Sequence, residues 1–238
     1  MRIDLVDRSL NYGRQHIVNF ARNGRPRIVL DLGAGKGDDL LGVASVTPGV
    51  ELHAAECYLP NIEKLRFAGI TVHPIDIERD PLPFGDESLD MVIANQVLEH
   101  CKDIWWILHE CSRVLRVGGH LAIGIPNLAS LHNRLLLMCG RQPTQIQNNS
   151  AHVRGYTRSD VLEFLSSGFP NGYKLVEFGG GNFYPLPGRL ARPLARMFPT
   201  MAWGIFFDLE KKGHYSGGFL KFPIENQLET NFYLGEPK

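Results

Sequence analysis

Residues 29–40 read Val-Leu-Asp-Leu-Gly-Ala-Gly-Lys-Gly-Asp-Asp-Leu. Ile28, Val29, Leu30 and Leu32 form the short apolar run that a strand buried on both faces requires. Gly33, Gly35 and Gly37 follow at alternate positions, and a helical pattern resumes through Leu40, Leu41, Val43 and Ala44. A buried strand that turns through a glycine loop into a helix is where an open α/β sheet binds a nucleotide-like ligand. The glycines allow φ > 0 and a close approach of backbone to ligand. A dinucleotide fingerprint would need a third glycine at position 38, which is Asp38, and a phosphate loop would need Gly-Lys-Ser/Thr, whereas Lys36 precedes Gly37. Asp38 and Asp39 suit the helix dipole but repel phosphate. The pattern Asp31-x-Gly33-x-Gly35-x-Gly37 therefore favours a cationic ligand.

Outward from this loop, residues 51–56 read as a second strand ending in Glu56, and residues 71–77 as a third. An acid about twenty positions past the loop is placed to accept from ribose hydroxyls; taken alone, Glu56 is equally a solvated carboxylate. Met91–Asn95 is a fourth buried run, His120–Pro126 a fifth, and helices are expected over 8–22 and 104–115. Strand–helix alternation implies parallel strands joined by right-handed crossovers.

The glycine loop resembles motif I of the class I S-adenosylmethionine-dependent methyltransferases, whose ligand carries a sulfonium and an ammonium and no phosphate. Five further segments match that family in order: Glu51–Glu56, Thr71–Ile77, Pro81–Asp90, Gln96-Val97-Leu98-Glu99-His100 and Arg113–Gly119, where Val117 replaces the usual proline. The resemblance covers roughly residues 8–168 and is nearest to the ubiquinone-type and sugar O-methyltransferases. It implies an α/β fold: a Rossmann-like, doubly wound, seven-stranded sheet, mostly parallel with an antiparallel last strand, helices on both faces, with Tyr173–Phe178 and Gly204–Leu209 as the closing strands. It implies S-adenosyl-L-methionine as cofactor and S-adenosyl-L-homocysteine as product. Gly33, Ala34, Gly35 and Gly37 would underlie the adenosyl group, with Glu56 and the adjoining Cys57 at the ribose. Asp76 and the Ile77 backbone would read the adenine, and Asp31, Asn95 and Gln96 would lie at the methionyl end.

In such a fold the acceptor enters over the ends of strands four and five. The insertion from Asn127 to Tyr156 qualifies: it joins a partly helical apolar face to a stretch rich in Asn and Gln. Tyr12, Asn127, His132, Arg134 and Tyr156 are its candidate acceptor contacts. Methyl transfer to a hydroxyl needs a proton acceptor, for which His152 and then His100 are the candidates, unless proximity and orientation alone suffice. By resemblance the N-terminal helix, with Tyr12 and Arg14, folds over the cofactor as a lid; an edge helix packed by Leu10, Ile17, Val18 and Phe20 is the alternative.

The 238 residues suit a single domain: a lid helix (1–25), a cofactor-binding core (26–126), the acceptor insertion and its helix (127–170), closing strands (171–212) and a tail (213–238). Lys plus Arg and Asp plus Glu number 25 each, so no basic surface points to nucleic acid. The four cysteines, Cys57, Cys101, Cys111 and Cys139, lie far apart and read as reduced and mostly buried. No metal site is expected, since His109-Glu110-Cys111-Ser112-Arg113 lacks the second histidine of a zinc-protease motif. The absence of a signal-peptide core or an apolar run of about 18 residues predicts a cytoplasmic protein with no transmembrane segment. Gly179–Gly188 reads as a linker, followed by Arg189, Arg192 and Arg196 on a short amphipathic segment broken by Pro193. That segment is read as a lid over the acceptor, with peripheral membrane contact as the alternative. The aromatics of Gly217–Lys238, Phe219, Phe222, Phe232 and Tyr233, predict a tail packed on the domain or on a partner subunit. The oligomeric state is left open. The expected function is O-methylation of a small-molecule or glycan-precursor hydroxyl. Its rivals are N- or carboxyl-methylation of a secondary metabolite and a non-catalytic, methyltransferase-like partner subunit.

Overall fold

In the computed structural model, which describes residues 7–228, the apolar run becomes strand β1 (Ile28–Leu32), with four of its five residues buried. It pairs in parallel with β2 (Glu51–Ala55) on one side and β4 (Leu89–Asn95) on the other. β3 (Thr71–His73) extends the β2 edge, and β5 (Leu115–Pro126) lies beside β4. The sheet closes with β7 (Gly204–Lys211) and β6 (Tyr173–Gly181) in the order β3-β2-β1-β4-β5-β7-β6, β7 running antiparallel to both neighbours. This is the expected seven-stranded, mostly parallel sheet. The strand order reverses between β1 and β4, which opens a crevice at their carboxyl ends.

Both faces are covered. One core layer packs the sheet against α4 (Ile104–Val114), α6 (Arg158–Gly168) and α8 (Gly218–Glu225). The other packs it against α1 (Arg14–Gly24), α2 (Asp38–Ala44) and α3 (Leu59–Phe67). Local chemistry starts the helices: Asp103 accepts from Trp106 N at the head of α4, and Thr157 with Asp160 forms a capping box on α6. The segments Pro81–Asp90 and Arg113–Gly119 are fastened to each other. Asp90 accepts from the N–H groups of Arg27 and Ile28 at 2.8 and 2.9 Å and pairs with Arg116 at 2.5 Å. Arg113 joins Glu110 and Asp86 to the Leu82 and Phe84 carbonyls. Asp90 thus holds the start of β1, and Arg113 holds residues 82–86 against α4.

Several boundaries differ from expectation. The N-terminal helix breaks into a 3-10 turn (Arg8–Tyr12) and α1, because the chain at Gly13 (φ +54°) runs against Phe206, whose ring leaves no room for a Cβ. β3 stops before Pro74, which has no N–H to give the ladder. Gly179–Gly181 are no linker: they continue β6, where Gly180 admits Ala202 and the Ala195 carbonyl to within contact of the strand. Cys101 and Cys111 are buried, but Cys57 and Cys139 are exposed, so half of the thiols rather than most lie inside; all four are unpaired. Of the tail aromatics, Phe219 is fully buried near Trp105 and Phe164, and Phe222 stacks on Trp105 at 5.4 Å. Phe232 and Tyr233 lie outside the described residues.

Candidate functional site

The glycine loop leaves β1 held by Ala55: the N–H groups of Gly33 and Ala34 donate to its carbonyl at 2.8 and 3.4 Å. Gly33, Gly35 and Gly37 all have positive φ, and Gly37 begins α2, with Asp38 and Asp39 in its first turn. Glu56, at the end of β2, is buried and braces this loop. Its carboxylate accepts from Gly35 N at 2.9 Å, Tyr58 N at 2.9 Å and Asn61 Nδ2 at 3.2 Å. Asp31 is only 3% exposed, and burial together with the charges of Asp39 and Glu56 holds its pKa well above the carboxylate range. Burial also raises Asp39, while its hydrogen bond from Asn95 and the charge of Arg14 oppose that shift. Three acids thus converge, and Asp39 Oδ1 and Asn95 Oδ1 are buried without a hydrogen-bond partner among the described residues. Such a grouping is costly unless a cation and donors meet it. This set of acceptors fits the sulfonium, ammonium and hydroxyl groups of S-adenosylmethionine.

Asn95 ties the loop to the N-terminal segment, donating to Asp39 Oδ2 at 2.8 Å and to the Tyr12 carbonyl at 2.9 Å. Arg14 pairs with Asp38 at 2.6 Å and its guanidinium lies over the exposed Tyr12 ring. The segment before α1 therefore rests on the glycine loop. Gln96 has φ +56°, a strained backbone for a residue with a side chain, and its buried Nε2 has no partner among the described residues. Asp76 is half-exposed beyond β3, accepting from Glu78 N at 3.0 Å with Arg79 Nε at 3.5 Å, and the adjoining Ile77 is packed against the core. Sequence reasoning weighed Asp39 only as an obstacle to phosphate and missed it as a member of this cluster. Its place in the first turn after the loop was the signal.

The second cluster lies beyond β4. A 3-10 turn, Leu98–His100, is stapled to residues 151–156: Val153 N donates to the Glu99 carbonyl at 2.8 Å, and Tyr156 Oη to the Leu98 carbonyl at 3.2 Å. This brings the two candidate bases together, with ring centroids of His100 and His152 4.7 Å apart at 80°. Burial, and then His100, lower the His152 pKa. Glu99 joins them: it is 1% exposed, its Oε2 has no partner among the described residues, and burial pushes its carboxyl up to about 7. One donor atom from each of Glu99, His100 and His152 lies within 4.8 Å of the others. Glu99 stood in the quoted segment before His100, yet nothing in the sequence said that it turns inward.

The remaining candidates scatter. Asn127 is buried and its side chain is fully used, donating to the Thr200 and Ala202 carbonyls and accepting from Ala129 N, so it fastens the insertion and has no group left for an acceptor. Tyr156 is packed against the core with its hydroxyl on Leu98. His132, on α5 (Leu131–Met138), meets Thr144 Oγ1 at 2.8 Å and the edge of Tyr184; Arg134 reaches the Ala129 carbonyl from the surface. The amide-rich loop is partly folded on itself, since Asn133 and Gln145 are buried and bonded to each other. The basic segment forms α7 (Gly188–Met197) against β6. Its Arg192 and Arg196 line a groove of about 730 Å³ with Arg14, His16 and Glu177, so it walls this groove on the β6 side and none of the insertion residues joins it there. No helix of the described residues is long and apolar enough to cross a membrane.

Residues 30–123 match the family described as a methyltransferase domain. Demethylmenaquinone methyltransferase of Thermus thermophilus is 30% identical over 131 residues, 51% of this chain and 60% of that protein. 27-O-demethylrifamycin SV methyltransferase of Amycolatopsis mediterranei is 29% identical over 113 residues, 43% of this chain and 41% of its own length. The chain thus spans about half the length of these relatives. Among solved structures, 1,6-didemethyltoxoflavin-N1-methyltransferase of Burkholderia thailandensis with bound S-adenosylhomocysteine superposes with TM-score 0.57 at 16% identity, covering 87% of this chain and 80% of that one. That likeness is one of fold. The matches bear out the resemblance drawn from the sequence and the cofactor that goes with it.

Proposed function

We propose that this chain, whose residues 30–123 match the methyltransferase-domain family, transfers a methyl group from S-adenosylmethionine to a hydroxyl of a small-molecule acceptor. The observation that carries this reading is the convergence of Asp31, Asp39 and Glu56 at the switch point of the sheet, where the buried Asp39 Oδ1 and Asn95 Oδ1 have no partner among the described residues. When bound, S-adenosylmethionine supplies a sulfonium-activated methyl for in-line displacement. Asp31, Asp39, Asn95 and Gln96 would hold its methionyl end, and Gly33, Ala34, Gly35 and Gly37 would lie under the adenosyl group. Glu56, beside Cys57, would accept from the ribose, and Asp76 with Ile77 would flank the adenine. Tyr12 and Arg14 would close over it. On the acceptor side, His132 and Arg134 would touch the substrate and Tyr156 would form the wall. His152 would take the hydroxyl proton: its lowered pKa leaves it neutral and able to accept near physiological pH. Oxygen as the target is supported by the rifamycin relative, whose name states an O-methylation. Four unpaired thiols support a reducing compartment, the cytoplasm.

Calorimetric titration with S-adenosylmethionine and S-adenosylhomocysteine, beside Glu56→Ala, tests the cofactor half. The folded protein binds both, and the variant binds at least tenfold more weakly. Transfer of labelled methyl to a panel of sugars, phenols, amines and carboxylic acids then tests the acceptor half. Product on a hydroxyl supports the reading, product only on nitrogen or carboxylate moves it to the rival enzyme, and binding without turnover on any acceptor favours a partner subunit.

A further inference from the structure

We propose that Glu99, His100 and His152 form a binding site for one divalent transition-metal ion. Their donor atoms lie within 4.8 Å of one another. Ligation of zinc at about 2.0–2.1 Å requires donors about 3.3 Å apart in a tetrahedral arrangement, a closure within the reach of small side-chain rotations. The backbone already fixes the approach. Glu99 and His100 are neighbours in one 3-10 turn, and the Glu99 carbonyl accepts from both Val153 N and Arg154 N, at 2.8 and 3.3 Å, which locks the segment carrying His152 against that turn.

The donors are also prepared in their bonding. His100 Nδ1 gives its hydrogen to the Ala151 carbonyl at 3.3 Å, which leaves Nε2 with the free lone pair. The Gln145 carbonyl faces the His152 ring, while His152 Nδ1 is buried without a partner. Glu99, 1% exposed, has a buried Oε2 that nothing among the described residues satisfies. A carboxylate oxygen and an imidazole nitrogen, each buried without a partner among the described residues, are costly, and a cation held between these side chains would offer both a partner. Two imidazoles with one carboxylate select zinc, iron, cobalt, nickel or manganese over the all-oxygen preference of magnesium and calcium. Three protein ligands leave coordination positions open.

The binding itself does not depend on methyl transfer; its use does, and there it rests on the function proposed above. With the ion bound, His152 is a ligand and not a base. An acceptor hydroxyl in an open position would be acidified by the ion, release its proton to solvent and present its oxygen to the methyl carbon.

The test uses the full chain, freed of metal by a chelator and titrated with Co(II). One equivalent should produce the visible bands of ligated cobalt, and Zn(II) should displace it. Glu99→Gln, His100→Ala and His152→Ala should each weaken binding at least tenfold. His100 is exposed, so His100→Ala keeps the test valid if the Glu99 variant fails to fold. S-adenosylhomocysteine binding, measured on the same samples, should persist in every variant. Absence of cobalt bands, or binding unchanged across all three variants, overturns the site. Bands with a thiolate signature, traced to the exposed Cys57 or Cys139, overturn it as well. If cobalt binds and S-adenosylhomocysteine does not, the methyltransferase reading fails while the metal site stands. The reverse removes the metal site alone.

Discussion

In the proposed cofactor site, Asp31, Asp39 and Glu56 stand along one βαβ unit, and Glu56 reaches back to the backbone of the loop at Gly35 N. At the acceptor side, Glu99 and His100 meet a histidine from a segment some fifty residues further on. The first cluster is built at short range, so its residues recur at readable intervals. The second depends on how a surface insertion folds back onto a turn, and no spacing rule specifies that. Charge differs too. The first cluster gathers three carboxyl groups, whereas the second sets one carboxyl group beside two imidazoles.

Variants can break this comparison, beginning with the greatest effect. His152→Ala should lower kcat by about 10²–10⁴-fold, the range typical of a lost proton acceptor or activated acceptor, with S-adenosylhomocysteine affinity unchanged. If affinity falls in parallel, the two clusters are not separable. Glu56→Ala should weaken S-adenosylmethionine binding by about 100-fold. Lost ribose hydrogen bonds to a charged group are worth about 1.5–3 kcal/mol each, and the loop also loses the acceptor for Gly35 N. An undiminished affinity would remove Glu56 from the site.

Asp31→Asn should act in opposite directions on stability and binding. In the cofactor-free chain the folded pKa of Asp31 is raised, so folding disfavours its charged form. The stability this residue allows below the ordinary carboxylate pKa is lost as pH rises toward the raised value. The variant should therefore gain on the order of 1 kcal/mol near neutral pH, a few degrees in Tm, with the advantage fading below about pH 4. Its cofactor affinity should fall. Melting curves from pH 4 to 8 check this, and a destabilised variant at pH 7 would show that Asp31 is satisfied by the protein itself. The smallest change is expected for His132→Ala, a rise in acceptor KM of less than about tenfold at constant kcat, as for a contact made equally in ground and transition states. A large fall in kcat there would draw the acceptor site toward α5.

Much of the sheet was legible because its signals are local. β1 must be apolar on both faces, and Gly37 must tolerate a left-handed backbone at the head of α2. Asp90 and Arg116 were legible as motif members, though not as the ion pair that fastens β1. The boundaries failed where a distant residue intervened: Phe206 breaks the N-terminal helix at Gly13, and Ala202 and Ala195 press on Gly180 in β6. Asn127 looked like an acceptor contact from its polarity, yet burial commits it to the fold.

The sequence by itself determined the class of sheet, the glycine loop and the acidic character of the residues around it. These follow from periodicity, from glycine stereochemistry and from charge placed along a single chain segment. Only the tertiary structure decided which polar groups are satisfied and which are left waiting. It turned Glu99 inward, brought His100 and His152 to 4.7 Å and closed three carboxylates around one loop. Burial and proximity between distant residues set hydrogen bonding and pKa, and neither is a property of any stretch of sequence taken alone.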